Sequence, residues 1–284
     1  MRIQINTNDN YYISPIARCL RIAGNEFCFS IEQNKLLPCY SIWVDETPIA
    51  YISHGDSLEL SIKDKQNIDR FDYKIIFKYH YATFVDYGEY ANRIIPCGLW
   101  RWLSSDFSFS REELLNKKRS IDVQSRMRCF NSNPNSRKTP WAAARRTIVK
   151  EALKLNKEEY VARAGSKIPM EQYIKELYDS KIGFIWSASA YLGWKIPEFI
   201  QHGVVMITEP LGLNYPFRDD IVLEDDIHCV FCNEPNKFGE VAKNLLRNPS
   251  RLEQIRKNVV DLWFDKLCPE KMGEWYYRRL ISVL

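Results

Sequence analysis

Long apolar runs are missing from this chain. No stretch reaches the roughly 18 residues that a transmembrane helix needs, so a membrane span is excluded. The first ten residues, MRIQINTNDN, turn polar after three apolar positions and lack the apolar core of a secretory leader, which sets the expectation of a cytoplasmic protein. Glycine and proline are scarce, 11 and 13 in 284 residues, too few for a collagen-like or low-complexity linker chain. There are eight cysteines, but Cys229 and Cys232 have no second close pair to complete a tetrahedral zinc site, with His228 as the one extra ligand nearby. His228-Cys229-Val230-Phe231-Cys232 reads instead as a strand with alternating side chains, and the thiols as reduced and mostly buried.

What is present is ordinary globular composition, 45% hydrophobic and 27% charged, in a chain long enough for two domains of roughly 100–150 residues. The net charge of +4 is small, but its placement is uneven. Lys117 to Lys150 holds ten basic residues against the single acid Asp122, a local +9 that leaves −5 for the rest of the chain. Such a block points to a phosphate-bearing ligand or to a solvated basic face. Arg126 and Arg128 alternate with Met127 and Cys129 in a strand-like stretch, and Arg145 and Arg146 lie near a helix start, which makes them less suited to the second role.

Hydrophobic periodicity predicts a strand over Arg2–Ile5, a helix over Ile13–Ala23 stopped by Gly24, and a strand over Glu26–Ile31, the opening of a wound α/β domain. Ser41–Val44 and Pro48–Ser53 form either a hairpin turning at Asp45-Glu46-Thr47 or two sheet strands, and Tyr73–Phe77 is a buried strand. Polar Ser104–Arg119, with the helix-like Ser110-Arg-Glu-Glu-Leu-Leu, is the best interdomain connection. A second α/β pattern follows. Its strands are Ile121–Phe130, Tyr160–Ala164, Lys181–Trp186 and Val204–Thr208. Its helices are Trp141–Leu155, Pro169–Ser180, Lys195–His202, Phe238–Leu246 and Pro249–Phe264, before a final amphipathic helix over Glu274–Val283. Asp219-Asp220 and Asp225-Asp226 read as solvated loop charges.

The stretch Met170–Pro210 carries the chemistry. Ligands of wound sheets sit beyond the carboxyl ends of strands, which is where the loop Ser187–Gly193 falls. Ser187, Ser189 and Gly193 are small enough for backbone N–H groups to approach an anion at the following helix start. Lys195 adds a cation, and Glu198, three residues on and on the same helix side, offers acceptor oxygens to a diol. One can meet a phosphate while the other meets a ribose; the plain alternative is a surface Lys–Glu pair.

Several segments together resemble the GT-B glycosyltransferases, especially the exostosin-like and related group-one-like enzymes. They are Glu171-Gln172-Tyr173, Ser180-Lys181-Ile182-Gly183-Phe184, Gly193-Trp194-Lys195, Glu198 and Gly203. Upstream, Arg126 to Asn131 followed by Ala144-Arg145-Arg146 is similar to the segment that opens the donor domain. Asp72 to Tyr79 and Arg93 to Leu99 are similar to the end of the acceptor domain. The resemblance spans about Asp69 to Leu262 and is strongest over Glu171–Gly203.

It implies a GT-B-like α/β fold of two Rossmann-like domains with a cleft between them. These are an acceptor-side domain (1–105), a linker (106–119), a nucleotide-sugar-binding domain (120–266) and a last segment (267–284) crossing back to the first domain. It implies that Glu198 holds the nucleotide ribose and that Arg128 and Arg145 meet the diphosphate, with Asn131, Ser187, Ser189, Gly193, Trp194 and Lys195 completing the donor site. The implied activity moves a sugar from a nucleotide-sugar to a hydroxyl of a glycan or lipopolysaccharide-type acceptor. No tightly bound metal or other cofactor is expected, and no Asp-x-Asp motif is present. An acceptor base from the first domain would be Asp9, His54, Asp56 or His80.

Two rivals accompany this reading. One is a phage-type transferase acting on a hydroxylated DNA base in the host cytoplasm. The other is a non-catalytic α/β protein that binds nucleic acid through the Lys117–Lys150 block. Peripheral membrane association through Trp275, Tyr276, Tyr277, Arg278 and Arg279 is a further option for the last helix.

Overall fold

The computed structural model describes residues 1–6, 13–54, 58–98, 109–127, 140–165, 168–186, 195–211 and 214–284. The chain divides into two units. Unit 1 is Met1–Trp102, Leu213–Val222 and Phe264–Leu284; unit 2 is Leu103–Gly212 and Leu223–Trp263.

Unit 1 holds strands β1 (Arg2–Ile5), β2 (Ser30–Gln33), β3 (Ser41–Val44), β4 (Thr47–Ser53), β5 (Ile75–Lys78) and β6 (Ile94–Pro96), with helices α1 (Ile13–Phe27), α2 (Ile62–Phe71) and α9 (Pro269–Ile281). The strands pair in the order β2-β1-β3-β4-β5-β6, and β3 alone runs against the others. Of the two arrangements open for β3 and β4, the hairpin forms. Asp45 and Glu46 both take positive φ, 43° and 71°, the hand that a two-residue turn needs to follow strand twist. Strand alternation gives the sheet two apolar faces. Ile76 joins Tyr51, Ile68 and Tyr73 on the α2 side, while Phe77 meets the rings of Trp275 and Tyr276 on α9. α9 also packs along α1, with Tyr277 stacked on Phe27 and Phe29.

Two expectations are corrected here. α1 runs through Gly24 and ends where Cys28 takes a left-handed φ of 55°. Gly24 is needed for a different reason, because a Cβ there would stand 2.8 Å from the Phe29 carbonyl folded back on it. The next strand therefore starts at Ser30 rather than Glu26. The paired aspartates are exposed, as expected, but each holds a partner. Asp219 accepts from Trp275 Nε1 at 3.0 Å and pairs with Arg279, and Asp220 takes the fork of the buried Arg218, so both hold α9 in unit 1. Asp225 accepts from the Phe231 amide, and Asp226 pairs with Arg251.

Unit 2 holds β7 (Ile121–Ser125), β8 (Ala162–Ala164), β9 (Ser180–Phe184), β10 (Val205–Thr208) and β11 (Cys229–Phe231). Its helices are α3 (Arg111–Asn116), α4 (Pro140–Leu155), α5 (Met170–Asp179), α6 (Lys195–Gln201), α7 (Phe238–Leu246) and α8 (Pro249–Leu262). The strands are all parallel, in the order β11-β10-β9-β7-β8. Such a sheet is covered on both faces, and β10 is accordingly buried along its whole length.

From β7 the chain steps outward to β8, and from β9 it steps outward the other way to β10 and β11. The strand order therefore reverses between β7 and β9, and the crevice of an open parallel sheet opens there, beyond the carboxyl ends. Phe184 of β9 meets Phe238 of α7, whereas Gly183 faces α6. A Cβ on Gly183 would stand 2.2 Å from the Phe199 ring. The bare backbone at Gly183 lets α6 settle on β9, and this sets where Lys195 and Glu198 stand.

Candidate donor site

Immediately past β7, Arg126 turns back over the sheet. Its Nε and one terminal nitrogen each donate to the buried Glu176 of α5 at 2.8 Å, and the other terminal nitrogen donates to the Ala164 carbonyl at 2.9 Å. This two-pronged geometry is what a guanidinium offers and an ammonium does not. Past β9, the Trp186 carbonyl accepts from Arg145 Nε and a terminal nitrogen at 3.0 and 2.7 Å, and the guanidinium lies 5.3 Å from the Trp141 ring. The reversal point is thus bracketed by two arginines, Arg126 just past β7 and Arg145 of α4 on the carbonyl just past β9.

At the start of α6, Lys195 Nζ donates to the Tyr173 hydroxyl at 3.0 Å, and that hydroxyl donates to Glu198 Oε2 at 2.6 Å. Tyr173 lies on α5 and is buried, as is Glu198. The ammonium also sits 4.6 Å from the Tyr173 ring centre and 5.7 Å from that of Phe199. Burial pushes Lys195 down to about 8; Glu198 opposes this, while Arg145 and Arg126 add to it. Among the described residues the cluster sets three cations, Arg126, Arg145 and Lys195, against two carboxylates, Glu176 and Glu198. An anion entering would relieve the repulsion among the cations, and a diol could reach the Glu198 carboxylate.

Of the residues singled out from the sequence, Arg145, Lys195 and Glu198 come together here. Arg128, Asn131, Ser187, Ser189, Gly193, Trp194, Asp9 and Asp56 lie outside the described residues. His80 is buried, 3% exposed, just past β5 in unit 1. His54 follows β4 in unit 1, its ring 3.9 Å from that of Tyr40. Sequence reasoning assigned no role to Tyr173 or Glu176 and read Arg126 only as a cation set apart from the solvated face, whereas it forks onto Glu176. Arg126 and Tyr173 lay within quoted motifs, but the contacts that join them to Glu176 and Glu198 cross 50 and 25 residues.

Within the basic block Lys118 and Lys150 are exposed, Arg128, Arg137 and Lys138 lie outside the described residues, and others hold partners inside the unit. Lys117 pairs with Asp179, and buried Arg119 donates to the carbonyls of Ser180 and His202 at 2.7 Å each. Among the described residues no three His, Cys, Asp or Glu side chains gather as a metal site, and no helix is long and apolar enough to cross a membrane.

No family model matches the chain, and no curated protein matches it in sequence. Solved structures do resemble it. Anabaena HepE in complex with UDP and glucose superposes with a TM-score of 0.51 at 10% identity, over 82% of this chain and 71% of that one. The same protein in complex with UDP-glucose gives 0.49 at 10% identity, over 82% and 72%. The first likeness shows the fold, an α/β architecture with two parallel-dominated sheets of the GT-B class.

Proposed function

We propose that the chain is a glycosyltransferase that takes its sugar from a nucleotide diphosphate donor. The observation that carries this reading is the Arg126–Arg145–Lys195–Tyr173–Glu198 cluster at the reversal point of a parallel sheet. A fold shared with a protein solved with UDP and glucose supports it. Kinship with the exostosin-like and group-one-like enzymes rests on the motif residues alone.

In this mechanism Glu198 accepts from the ribose hydroxyls, and Tyr173 holds that carboxylate in place. Breaking the bond between the sugar's anomeric carbon and the phosphate oxygen leaves growing negative charge on the diphosphate. Lys195 and Arg145, with Arg128 from the neighbouring segment, stabilise that charge more in the transition state than in the ground state. These side chains supply the positive charge in place of a tightly bound metal. Asp9, His54, Asp56 or His80 takes the proton of the attacking acceptor hydroxyl, which belongs to a glycan or lipopolysaccharide-type molecule.

Against the nucleic-acid readings stand the partners that Lys117, Arg119, Arg126 and Arg145, four of the ten basic residues of the block, hold inside the unit. A thermal-shift screen with UDP-, GDP-, TDP-, ADP- and CMP-sugars tests the proposal, since a ligand of the native state raises the melting temperature. One donor class should stabilise the protein, and Glu198→Ala should weaken that ligand roughly 10- to 100-fold. A flat screen, or binding indifferent to Glu198→Ala, overturns the reading.

A further inference from the structure

We propose that unit 1 carries a docking surface for an anionic lipid bilayer, with Leu36 and Ile62 as the side chains that enter it. They are 95% and 77% exposed, the two most exposed large apolar side chains among the described residues. Both stand at the mouth of one cavity of about 910 Å³: Leu36 lines it, and Ile62 falls between the lining residues Ser61 and Lys63. Single exposed apolar residues are ordinary on a protein surface. The two extreme cases beside one opening are not.

Neither tip hangs on slack backbone. The Leu36 amide donates to Asn34 Oδ1 at 3.0 Å, and the buried Asn6, just past β1, donates to the next carbonyl, that of Leu37. Ile62 opens α2, where the Asp64 amide donates to Ser61 Oγ at 3.0 Å and the Ser61 amide donates to Asp64 Oδ2 at 3.1 Å. With both backbones held, little ordering is left to be done on binding.

Charge completes the surface. Lys35 precedes Leu36, Lys63 follows Ile62, and Arg70 lines the same cavity; all three are exposed, against Glu59 as the exposed acid of that lining. The other acid there, Asp64, is buried and accepts from Tyr51, Ser53 and Ser61. Of the remaining exposed charges of these two segments, Lys65 and Asp69 both meet Tyr90, and Glu32 pairs with Arg2. An aliphatic tip beside an ammonium suits a bilayer: the tip enters the acyl boundary while the lysine stem lies along it and the charge stays with the lipid phosphates. A protein partner would need a packed face of roughly 1,000 Å² or more, which two separate tips do not offer. The last helix, the other candidate for this role, keeps Trp275 and Tyr276 buried and Tyr277 stacked on Phe27 and Phe29. The surface needs no nucleotide-sugar and would serve the chain whether or not it is a transferase.

Flotation of the full chain with vesicles tests this, using phosphatidylcholine alone and phosphatidylcholine mixed with phosphatidylglycerol, with UDP affinity measured on the same samples. The mixed vesicles should carry the protein and the neutral ones should not, and added salt should weaken the attachment. Leu36→Ser and Ile62→Ser should each weaken it roughly tenfold, and Lys35→Ala and Lys63→Ala roughly fivefold. UDP affinity and melting temperature should hold in all four, since these side chains are exposed. A folded chain that ignores mixed vesicles overturns the proposal, as does attachment that survives Leu36→Ser combined with Ile62→Ser or that is equal on neutral lipid. A lipid-free dimer in sedimentation that the double variant separates would also overturn it, since a second copy would then cover this face. Vesicle attachment that responds to the variants while UDP fails to bind supports the surface and sinks the donor reading instead.

Discussion

Each unit keeps a lysine beside a carboxylate, and burial pushes both lysines down to about 8. Beyond that the two pairs are unlike. Lys78 of β5 is fully buried, and Asp64 opposes the shift. Asp64 is itself occupied: it accepts from Tyr51, Ser53 and the Ser61 amide, and so closes the capping box of α2. Charge there is balanced and the carboxylate well bonded. Around Lys195, Arg145 and Arg126 push in the same direction as burial, and these three cations face Glu198 and Glu176. A depressed lysine therefore does not mark a site by itself. What marks one is a count of the charges around it, taken among the described residues, that does not close.

Breaking the closed pair should give the largest effect. Asp64→Ala strips α2 of its cap, removes the acceptor of the Tyr51 and Ser53 hydroxyls and takes the opposing charge away from buried Lys78, a class of change that costs about 3–5 kcal/mol. Denaturant unfolding should show that loss, while UDP affinity of the remaining folded protein stays where it was. A loss below about 1 kcal/mol would mean that Lys78 and Asp64 do not depend on each other. The unclosed cluster should respond in the opposite way. Tyr173→Phe keeps the ring and removes the hydroxyl shared by Lys195 and Glu198. UDP affinity should drop roughly tenfold, with a smaller change in melting temperature than Asp64→Ala causes. A variant that melts early yet binds UDP normally would make Tyr173 a packing residue.

The same contrast separates what the sequence displays from what it hides. Lys195 and Glu198 could be read because the helical period puts positions three apart on one side, and that relation needs no other part of the chain. Most elements of unit 2 were legible for the same reason, as was the strand reading of Cys229–Phe231. The partner of Arg126 was not, because the fork onto Glu176 exists only once β7 and α5 are packed. Gly24 misled because glycine answers two needs, helix termination and close approach, and here the backbone of Phe29 called for the second. The partners of the exposed Asp219 and Asp220 stayed hidden because nothing nearby in sequence announces Trp275, Arg279 or the burial of Arg218. Lys78 stood in an apolar run whose period gives no sign that Asp64 waits on α2.

Alkaline titration gives the smallest effect and the sharpest distinction. Both lysines have folded-state values near 8, below the unfolded value of roughly 10.4. Between those limits the unfolded chain binds more protons than the folded one, so both contribute stability that grows as pH rises through that window. Donor binding must run the other way, because Lys195 loses its charge above about 8 and the diphosphate then meets one cation fewer. UDP affinity should therefore weaken a few-fold between roughly pH 7 and 9 while resistance to denaturant increases. Lys195→Arg, charged throughout that range, should flatten the affinity profile. Lys78→Met should reduce the rise in stability and leave the affinity profile alone. If affinity and stability moved together, or if Lys78→Met flattened the binding curve, the balanced pair and the unbalanced cluster would have exchanged roles.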